Sequence, residues 1–342
     1  MPKFLYIILI LQFGVSGVIA QEKSDKKPKF DTAYIRDLSH RLSIRVYGVS
    51  KFSNFDIKDN DSVKTVSYAP NSNLNLGFAV YYKWFGLGVA FDFPFINDDN
   101  HKYGETKRLD IQTNIYTRAL TIDFHYQKYQ GFYIENPEEY IPDWDPELPY
   151  PQRPDVNSFN LGGSCLYAFR HRKFSNRAAF VQTDLQRKSA GSFLLGGYFS
   201  LFRVEGDSSF IPYQIIDQCN PDLTFNDLQV YGIGIAGGYS HTFVMWKRLY
   251  FSLTLTPGIA IQNYHVKYPE DIPEKHGSFV AGRFAARIAL VYNTERLYAG
   301  ITAIDDNFSG NTGKEQQNSL SYQVGVFRFF YGMRFNVNKK KG

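Results

Sequence analysis

The sequence predicts an all-β fold, a transmembrane antiparallel β-barrel of about twelve strands with one short helix near 176–189. Three observations predict it. Apolar and polar residues alternate with a period of two over segments longer than the roughly five or six residues of a globular strand. Tyr and Phe cluster near the ends of these segments, as in the aromatic girdles of membrane barrels. Short turns alternate with long polar connections, which is typical of outer-membrane barrels.

Composition excludes two other classes of protein. The chain has 342 residues, a net charge of +5, 17% aromatic residues and a mean hydropathy of −0.32. A helical membrane bundle needs several runs of about 20 apolar residues, and these are missing. The chain is also too aromatic to be disordered. Alternation reconciles the aromatic content with the low hydropathy, because only half of each strand faces lipid.

The amino terminus predicts export. Lys3 precedes an apolar run over 4–19, and Val18-Ile19-Ala20 supplies a cleavage site. This order is typical of a signal peptide, here 1–20, and a transmembrane anchor is the alternative. The polar, Lys-rich stretch 21–40 is expected to be a flexible lead-in. We therefore expect a location in the bacterial outer membrane after cleavage of the signal peptide.

The barrel itself is expected over 41–336, followed by a Lys-rich tail at 337–342. An even number of strands leaves both ends of the barrel on the periplasmic side. The predicted strands are 42–53, 62–82, 85–95, 106–117, 119–134, 157–170, 192–204, 227–243, 247–262, 278–293, 296–306 and 318–335.

A helix over 176–189 keeps that number even. Ser175 or Asn176 can cap its N-terminus, apolar residues recur at helical spacing from Ala178, and Gly191 can cap its C-terminus. The alternative is a strand or a bulged segment, which would make the number of strands odd.

Three phrases carry a resemblance to a known family: YAPNSNLNLGFAVYYKWFGLGVAFDFP from Tyr68, YQKYQGFYIEN from Tyr126, and KFSNRAAFVQTDLQRKSAGSFLLGG from Lys173. Over about 30–336 the chain resembles an uncharacterised family of Gram-negative outer-membrane β-barrels, domain of unknown function 4421. The third phrase is the most specific, because Gln-x-x-Ser-Ala-Gly-Ser is not ordinary strand sequence. The resemblance implies a fold and a location, but no activity and no catalytic residue.

The expected partners follow from this architecture. They are outer-membrane lipid, the barrel insertion machinery and an envelope protein; no nucleic-acid motif is present. The last strand ends in aromatic Phe335 and resembles the signal that the insertion machinery recognises, although here 336–342 follow it. One segment is a candidate for docking a partner or for plugging the barrel: Gln186, Lys188, Ser189, Gly191 and Ser192.

Alternation also predicts which charged residues face the lumen: Arg41, Arg45, Asp92, Asp110, Asp123, His125, Arg170, Arg283, Arg287, Arg328 and Arg334. One interpretation is a structural network of paired charges that fills a narrow barrel. The other is a selective pore or ligand cavity, in which Arg283 and Arg287 belong to a basic wall for an anionic solute.

Other chemistry has less support. Ser240 and His241 are neighbours on a strand and so point to opposite faces, and we assign no catalytic residue. Asp143, Asp145 and Glu147 form a weak Ca²⁺ candidate, against the alternative of a solvated acidic loop. No cofactor is expected. The two cysteines, Cys165 and Cys219, could form a disulfide or remain unpaired thiols.

The expected function is therefore an outer-membrane barrel of unknown specific role, either a narrow or plugged pore or a partner-binding barrel. The alternatives are a lipid-active barrel enzyme and a subunit of a larger transport or assembly machine.

Overall fold

The fold is described from a computed structural model, which covers residues 29–59, 62, 64–83, 85–93, 96, 98–269, 272–312 and 318–337 and the backbone of 7–13. For 85, 311, 312 and 318 only the backbone is described. In this part of the chain, no helix is both long enough and apolar enough to cross a membrane.

Strands dominate the described residues, and alternating sequence accounts for most of them. The strands are β1 Ile7–Phe13, β2 Ile35–Asp37, β3 Leu42–Asp59, β4 Lys64–Ala69, β5 Leu74–Tyr82, β6 Phe85–Asp92, β7 Lys107–Tyr116, β8 Leu120–Ile134, β9 Gln152–Ala168, β10 Asp184–Gln186, β11 Ala190–Glu205, β12 Asp227–Met245, β13 Leu249–Lys267, β14 Lys275–Asn293, β15 Leu297–Thr312 and β16 Asn318–Phe335. The α-helices are α1 Asn100–Tyr103 and α2 Asn176–Phe180.

Ten of these strands form a closed antiparallel barrel. The order is β3-β16-β15-β14-β13-β12-β11-β9-β8-β4, and β4 closes the ring by pairing with β3 and β8. Outside this ring, β5 pairs with the first half of β3, β6 pairs with β5, and β7 pairs with β8. Strand β1 pairs with β6, and β2 pairs with β10 in a separate two-stranded sheet.

The ring therefore has fewer strands than the predicted twelve, although each predicted segment contains a strand. The predicted strand 62–82 is divided into β4 and β5 at Pro70, which has no backbone N–H to donate. Asn71 holds the break in place: its backbone N–H donates to Thr106 Oγ1 at 2.8 Å, and its side chain donates to Asp99 and to the Gly104 carbonyl.

The two ends of the barrel differ in their connections. Tight turns join β5 to β6, β7 to β8, β12 to β13 and β14 to β15 at one end, which we call the short-turn end. Longer connections at 93–106, 135–151 and 206–226 lie at the other end, which we call the long-loop end. At this end β8 contains a bulge at Gly131, whose φ of +90° favours glycine and where a Cβ would meet the Glu105 carbonyl at 2.2 Å.

The outer wall of the barrel is apolar. On β14, for example, Val280 is 73% exposed, whereas Ala281, Ala285 and Ala289 on the alternate face are buried. The same holds on β12, where Ile233 is 73% exposed. A continuous exposed surface of this kind is unfavourable in water and is typical of the lipid-facing band of a membrane barrel.

The predicted helix is much shorter than expected. Helix α2 ends at Phe180, and Gln182 has a φ of 60°, which turns the chain into β10. Ser175 precedes the helix, but its Oγ donates to Asp184 Oδ2 at 2.7 Å and makes no cap hydrogen bond. Gly191 lies inside β11 and caps no helix.

The predicted lead-in is also partly structured. Residues 35–37 form β2, and Ile35 and Leu38 are buried. Residues 21–28 lie outside the described part of the chain, as do most of the predicted signal peptide and residues 338–342 of the tail. Cleavage of the signal peptide stays a prediction. Cys165 and Cys219 are both free thiols.

Candidate functional site

The inside of the barrel is the candidate site, because most of the charged residues predicted for the lumen lie there. Seven of the eleven are buried: Arg45, Asp110, His125, Arg283, Arg287, Arg328 and Arg334. Asp123, Asp92 and Arg41 are partly buried. Arg170 is exposed, because β9 ends at Ala168 and the residue falls in the following turn.

An ion pair crosses the lumen. Arg287 on β14 contacts Asp123 on β8, and these strands lie five steps apart in the ring of ten, on opposite walls. The Arg287 guanidinium also donates to the Tyr116 hydroxyl at 2.9 Å. Asp123 accepts further hydrogen bonds from Asn114 at 2.6 Å and Ser164 at 3.0 Å. The carboxylate is thus satisfied from three strands, as a desolvated charge requires.

A second buried pair joins Lys51 on β3 to Asp110 on β7, with Lys51 Nζ 3.1 Å from Asp110 Oδ1. Gln127 and Tyr129 donate to the other carboxylate oxygen at 2.8 and 2.5 Å. Lys51 was missing from the predicted set, although it shares the inward face of β3 with Arg45 and alternation could have found it.

The predicted basic wall is neutralised in part, because Arg45, Arg328 and Arg334 have no carboxylate of the described residues within ion-pairing distance. Arg283 donates to Asp306 on the neighbouring strand β15 at 2.7 Å, and Arg41 pairs with Glu295 at 3.0 Å. Asp306 is the last residue of the predicted strand 296–306 and was not assigned to the lumen, whereas β15 continues to Thr312. These contacts favour a paired structural network over a row of free cations.

Aromatic side chains cross the lumen towards the long-loop end. Phe202 on β11 stacks on Tyr322 on β16 with ring centroids 4.6 Å apart, again between opposite walls. Tyr322 also stacks on Phe308 at 4.7 Å. The connection 206–226 folds over this layer and contributes the buried side chains of Phe210 and Phe225. The aromatic content of the sequence therefore serves the interior as well as the outer wall.

Residues 170–189 connect β9 to β11 at the short-turn end, and their central part, 174–186, packs into the barrel; we call 170–189 the plug. The wall holds the plug mainly through its backbone carbonyls. Arg45 donates to the Val181 carbonyl at 3.1 Å, and Arg334 donates to the Gln182 carbonyl. Asn293 donates to the carbonyls of Ala178 and Asp184 at 3.1 and 3.2 Å. Three strands of the ring, β3, β14 and β16, thus bind the plug.

Two carboxylates of the plug region have opposite pKa shifts. Complete burial raises the pKa of Asp184, although Arg177 and Arg118 stand 3.8 Å away. Burial also acts on Asp37 in β2, but hydrogen bonds from Ser39 and Arg118 outweigh it and lower the pKa of that carboxyl.

Gln186 accounts for the unusual phrase Gln-x-x-Ser-Ala-Gly-Ser. Its side chain is fully buried, accepts from the Ser175 backbone N–H at 3.0 Å, and donates to the carbonyls of Lys173 and Lys188 at 2.7 and 3.0 Å. Ser192 is also buried and accepts from the Arg170 backbone N–H at 2.9 Å. These two side chains face inward, Gly191 is a buried part of β11, and Lys188 and Ser189 of the proposed docking segment are exposed.

The residues considered for metal binding and catalysis do not come together in the described part of the chain. They contain no group of three His, Cys, Asp or Glu side chains that could hold a metal. Asp143, Asp145 and Glu147 are exposed. Ser240 points inward to Thr254 at 2.5 Å, whereas the His241 ring stacks beside Phe243 on the outer wall. His125 contacts Asn160 at 3.0 Å inside the barrel.

The closed ring, the apolar outer wall and the filled interior define a β-barrel of the transmembrane type. The chain belongs to the family described as domain of unknown function (DUF4421), whose model matches residues 29–335. The resemblance read from the sequence is therefore confirmed. Among proteins with curated functions, none is significantly similar in sequence.

Several solved barrels have a distantly similar structure. They include the outer membrane protease OmpT of Escherichia coli (7% identity, 88% of this chain and 98% of that one, TM-score 0.38). They also include the translocator domain of the autotransporter NalP of Neisseria meningitidis (9%, 85% and 88%, 0.27) and the toluene transporter TodX of P. putida (6%, 87% and 91%, 0.25). Such low identities and TM-scores transfer no function to this chain.

Proposed function

We propose that the chain is a sealed barrel of the bacterial outer membrane that works by binding partners, not as an open diffusion pore. The observation that carries the proposal is the Arg287–Asp123 pair between opposite walls. A solute would have to break this pair and pass the aromatic layer of Phe202 and Tyr322 and the plug. The apolar outer wall supports the membrane location.

Reconstitution of the mature protein into planar bilayers tests the seal. We expect no steady conductance from the wild-type barrel. Because the aromatic layer and the plug remain, the double variant Arg287→Ala/Asp123→Ala should show brief openings and no steady conductance. The matched control Arg283→Ala/Asp306→Ala should stay silent, because that pair joins neighbouring strands and does not cross the lumen. Heat-modifiable gel migration checks that each variant is folded. A steady ohmic conductance of the wild type would overturn the proposal.

A gated conduit is the second candidate, because wall side chains hold the plug inside the barrel by hydrogen bonds and no disulfide fixes it there in the described part of the chain. The variant Arg45→Ala/Arg334→Ala removes ties from two strands to the carbonyls of the plug. Conductance of this variant, with a silent wild type, would favour a plugged pore. A silent variant would favour the binding barrel.

Partner binding at the short-turn end agrees with a role as a subunit of a larger envelope machine. Lys188 and Tyr34 lie together there, with the Lys188 ammonium 5.5 Å from the centre of the Tyr34 ring. Cross-linking of intact cells through Lys188, followed by co-purification, tests this role. A partner linked at Lys188 supports it, and a clean monomer contradicts it. Outward aromatics on β16, such as Phe329, suit recognition by the insertion machinery.

A further inference from the structure

A basic and aromatic groove opens on the outer wall near the long-loop end. It has a volume of about 610 Å³, and Lys107, Leu109, Tyr126, Lys128, Phe159 and Arg203 are among the residues that line it. Strands β7, β8, β9 and β11 contribute to it side by side, so the groove belongs to the rigid wall of the barrel and not to a loop.

The register of the sheet places this groove at a chemical boundary. Lys128 lies opposite Phe159 on β9, which lies opposite Arg203 on β11. Two residues nearer the short-turn end, the corresponding positions carry Tyr126, Leu161 and Leu201. These residues begin the apolar surface that continues down the wall. The basic side chains thus stand at the upper edge of the apolar surface, where lipid headgroups meet a membrane barrel.

The side chains of the groove place positively charged groups beside an aromatic surface. The Lys128 ammonium lies 5.8 Å from the centres of both the Tyr126 and the Phe159 rings, which pack edge to face at 5.5 Å. Arg203 is already neutralised, because it holds Asp227 at 2.7 Å and Glu205 at 2.8 Å. Neither Lys107 nor Lys128 has a carboxylate of the described residues within ion-pairing distance. Two positive charges therefore remain available.

We infer that this groove binds the phosphate of an anionic membrane lipid, with Lys107 and Lys128 facing the phosphate and the acyl chains lying on the apolar wall below. Two ammonium groups with no acidic partner among the described residues complement a phosphate, and the adjoining aromatic and aliphatic surface offers an anchor that free phosphate could not use. The site depends on the proposed membrane location but not on a sealed lumen.

Native mass spectrometry of the delipidated mature protein in neutral detergent tests this site. Dioctanoyl phosphatidylglycerol is the probe, dioctanoylglycerol has the same chains without phosphate, and inorganic phosphate has no chains. We expect binding of the first probe only. Equal binding of dioctanoylglycerol would show that the groove binds acyl chains without recognising phosphate. Equal binding of inorganic phosphate would show a site for free anions. Either result overturns the inference.

Substitution of the two lysines locates the binding. Lys107→Gln and Lys128→Gln should each weaken binding of the phospholipid about fivefold, and together about 25-fold, the usual effect of a basic group beside anionic lipid. Lys58→Gln is the matched control, on β3 at the same end of the barrel but away from the groove. Both groove side chains are exposed, so folding should be unaffected, as heat-modifiable migration can check. Wild-type affinity of the folded double variant would refute the assignment.

Discussion

Replacing Arg287 with alanine should destabilise the barrel strongly, because Asp123 would keep its charge without its partner from the opposite wall. The Arg287 side chain is only 4% exposed, so water cannot replace it. Removing one member of a buried ion pair typically costs about 3–5 kcal/mol. We therefore expect the free energy of unfolding of Arg287→Ala to fall by about that amount.

A double-mutant cycle separates the pair from its surroundings. Unfolding in urea, followed in detergent micelles, would compare Arg287→Gln, Asp123→Asn and the double variant. The neutral pair leaves no buried charge without a partner. The double variant should therefore be more stable than the sum of the single losses predicts, with a coupling energy of about 1–3 kcal/mol. Strictly additive losses, or a loss below about 1 kcal/mol for Arg287→Ala, would refute the idea that this pair braces the two walls.

Further predictions concern the plug and the wall. Asp184→Asn should stabilise the fold more at pH 7 than at pH 4, since the raised pKa of Asp184 means that its ionisation costs stability as the pH rises above the ordinary value of 3.8. Asp37→Asn should destabilise the fold at pH 7, because the lowered pKa of Asp37 gives stability that is present above pH 3.8 and is lost as the pH falls below it. Unfolding midpoints measured against pH distinguish the two variants. Curves that run parallel to that of the wild type would contradict both predictions. Gln186→Ala removes four hydrogen bonds and should speed amide hydrogen exchange in the plug, but not in the barrel strands. Gly196→Val should prevent folding, because a Cβ would lie 1.9 Å from the Cys165 carbonyl; a heat-modifiable band at the wild-type level would disprove this.

The sequence predicted which side of the barrel wall a residue faces better than it predicted which residues contact each other. Alternation places Arg45 and Arg287 inside the barrel, since each side of a strand is defined by parity alone. It does not say which residues meet across the lumen, and Arg287 and Asp123 are 164 positions apart. Where parity breaks at a strand end, as at Arg170, the prediction was wrong.

Local signals were less reliable around the plug. The apolar spacing after Asn176 is helical, but only the first five residues form α2, because pairing of β10 with β2 and the hydrogen bonds of Gln186 outweigh helix propensity. The partner strand β2 lies in a polar stretch with no alternation that would predict a strand. Its role depends on a contact with a segment about 150 residues later, which propensity cannot reveal.

The contact between opposite walls also has a consequence for the order of assembly. Asp123 enters the barrel with β8, and its partner arrives only with β14, after four intervening strands of the ring. Until then the carboxylate would face the interior of an incomplete barrel without its counterion. A half-built barrel therefore lacks this contact between opposite walls, and only the arrival of β14 supplies it. The pair thus links the stability of the Asp123 wall to strands that enter the ring late in the chain, so Asp123→Asn should lower the stability of the complete barrel but not that of a chain truncated after β13.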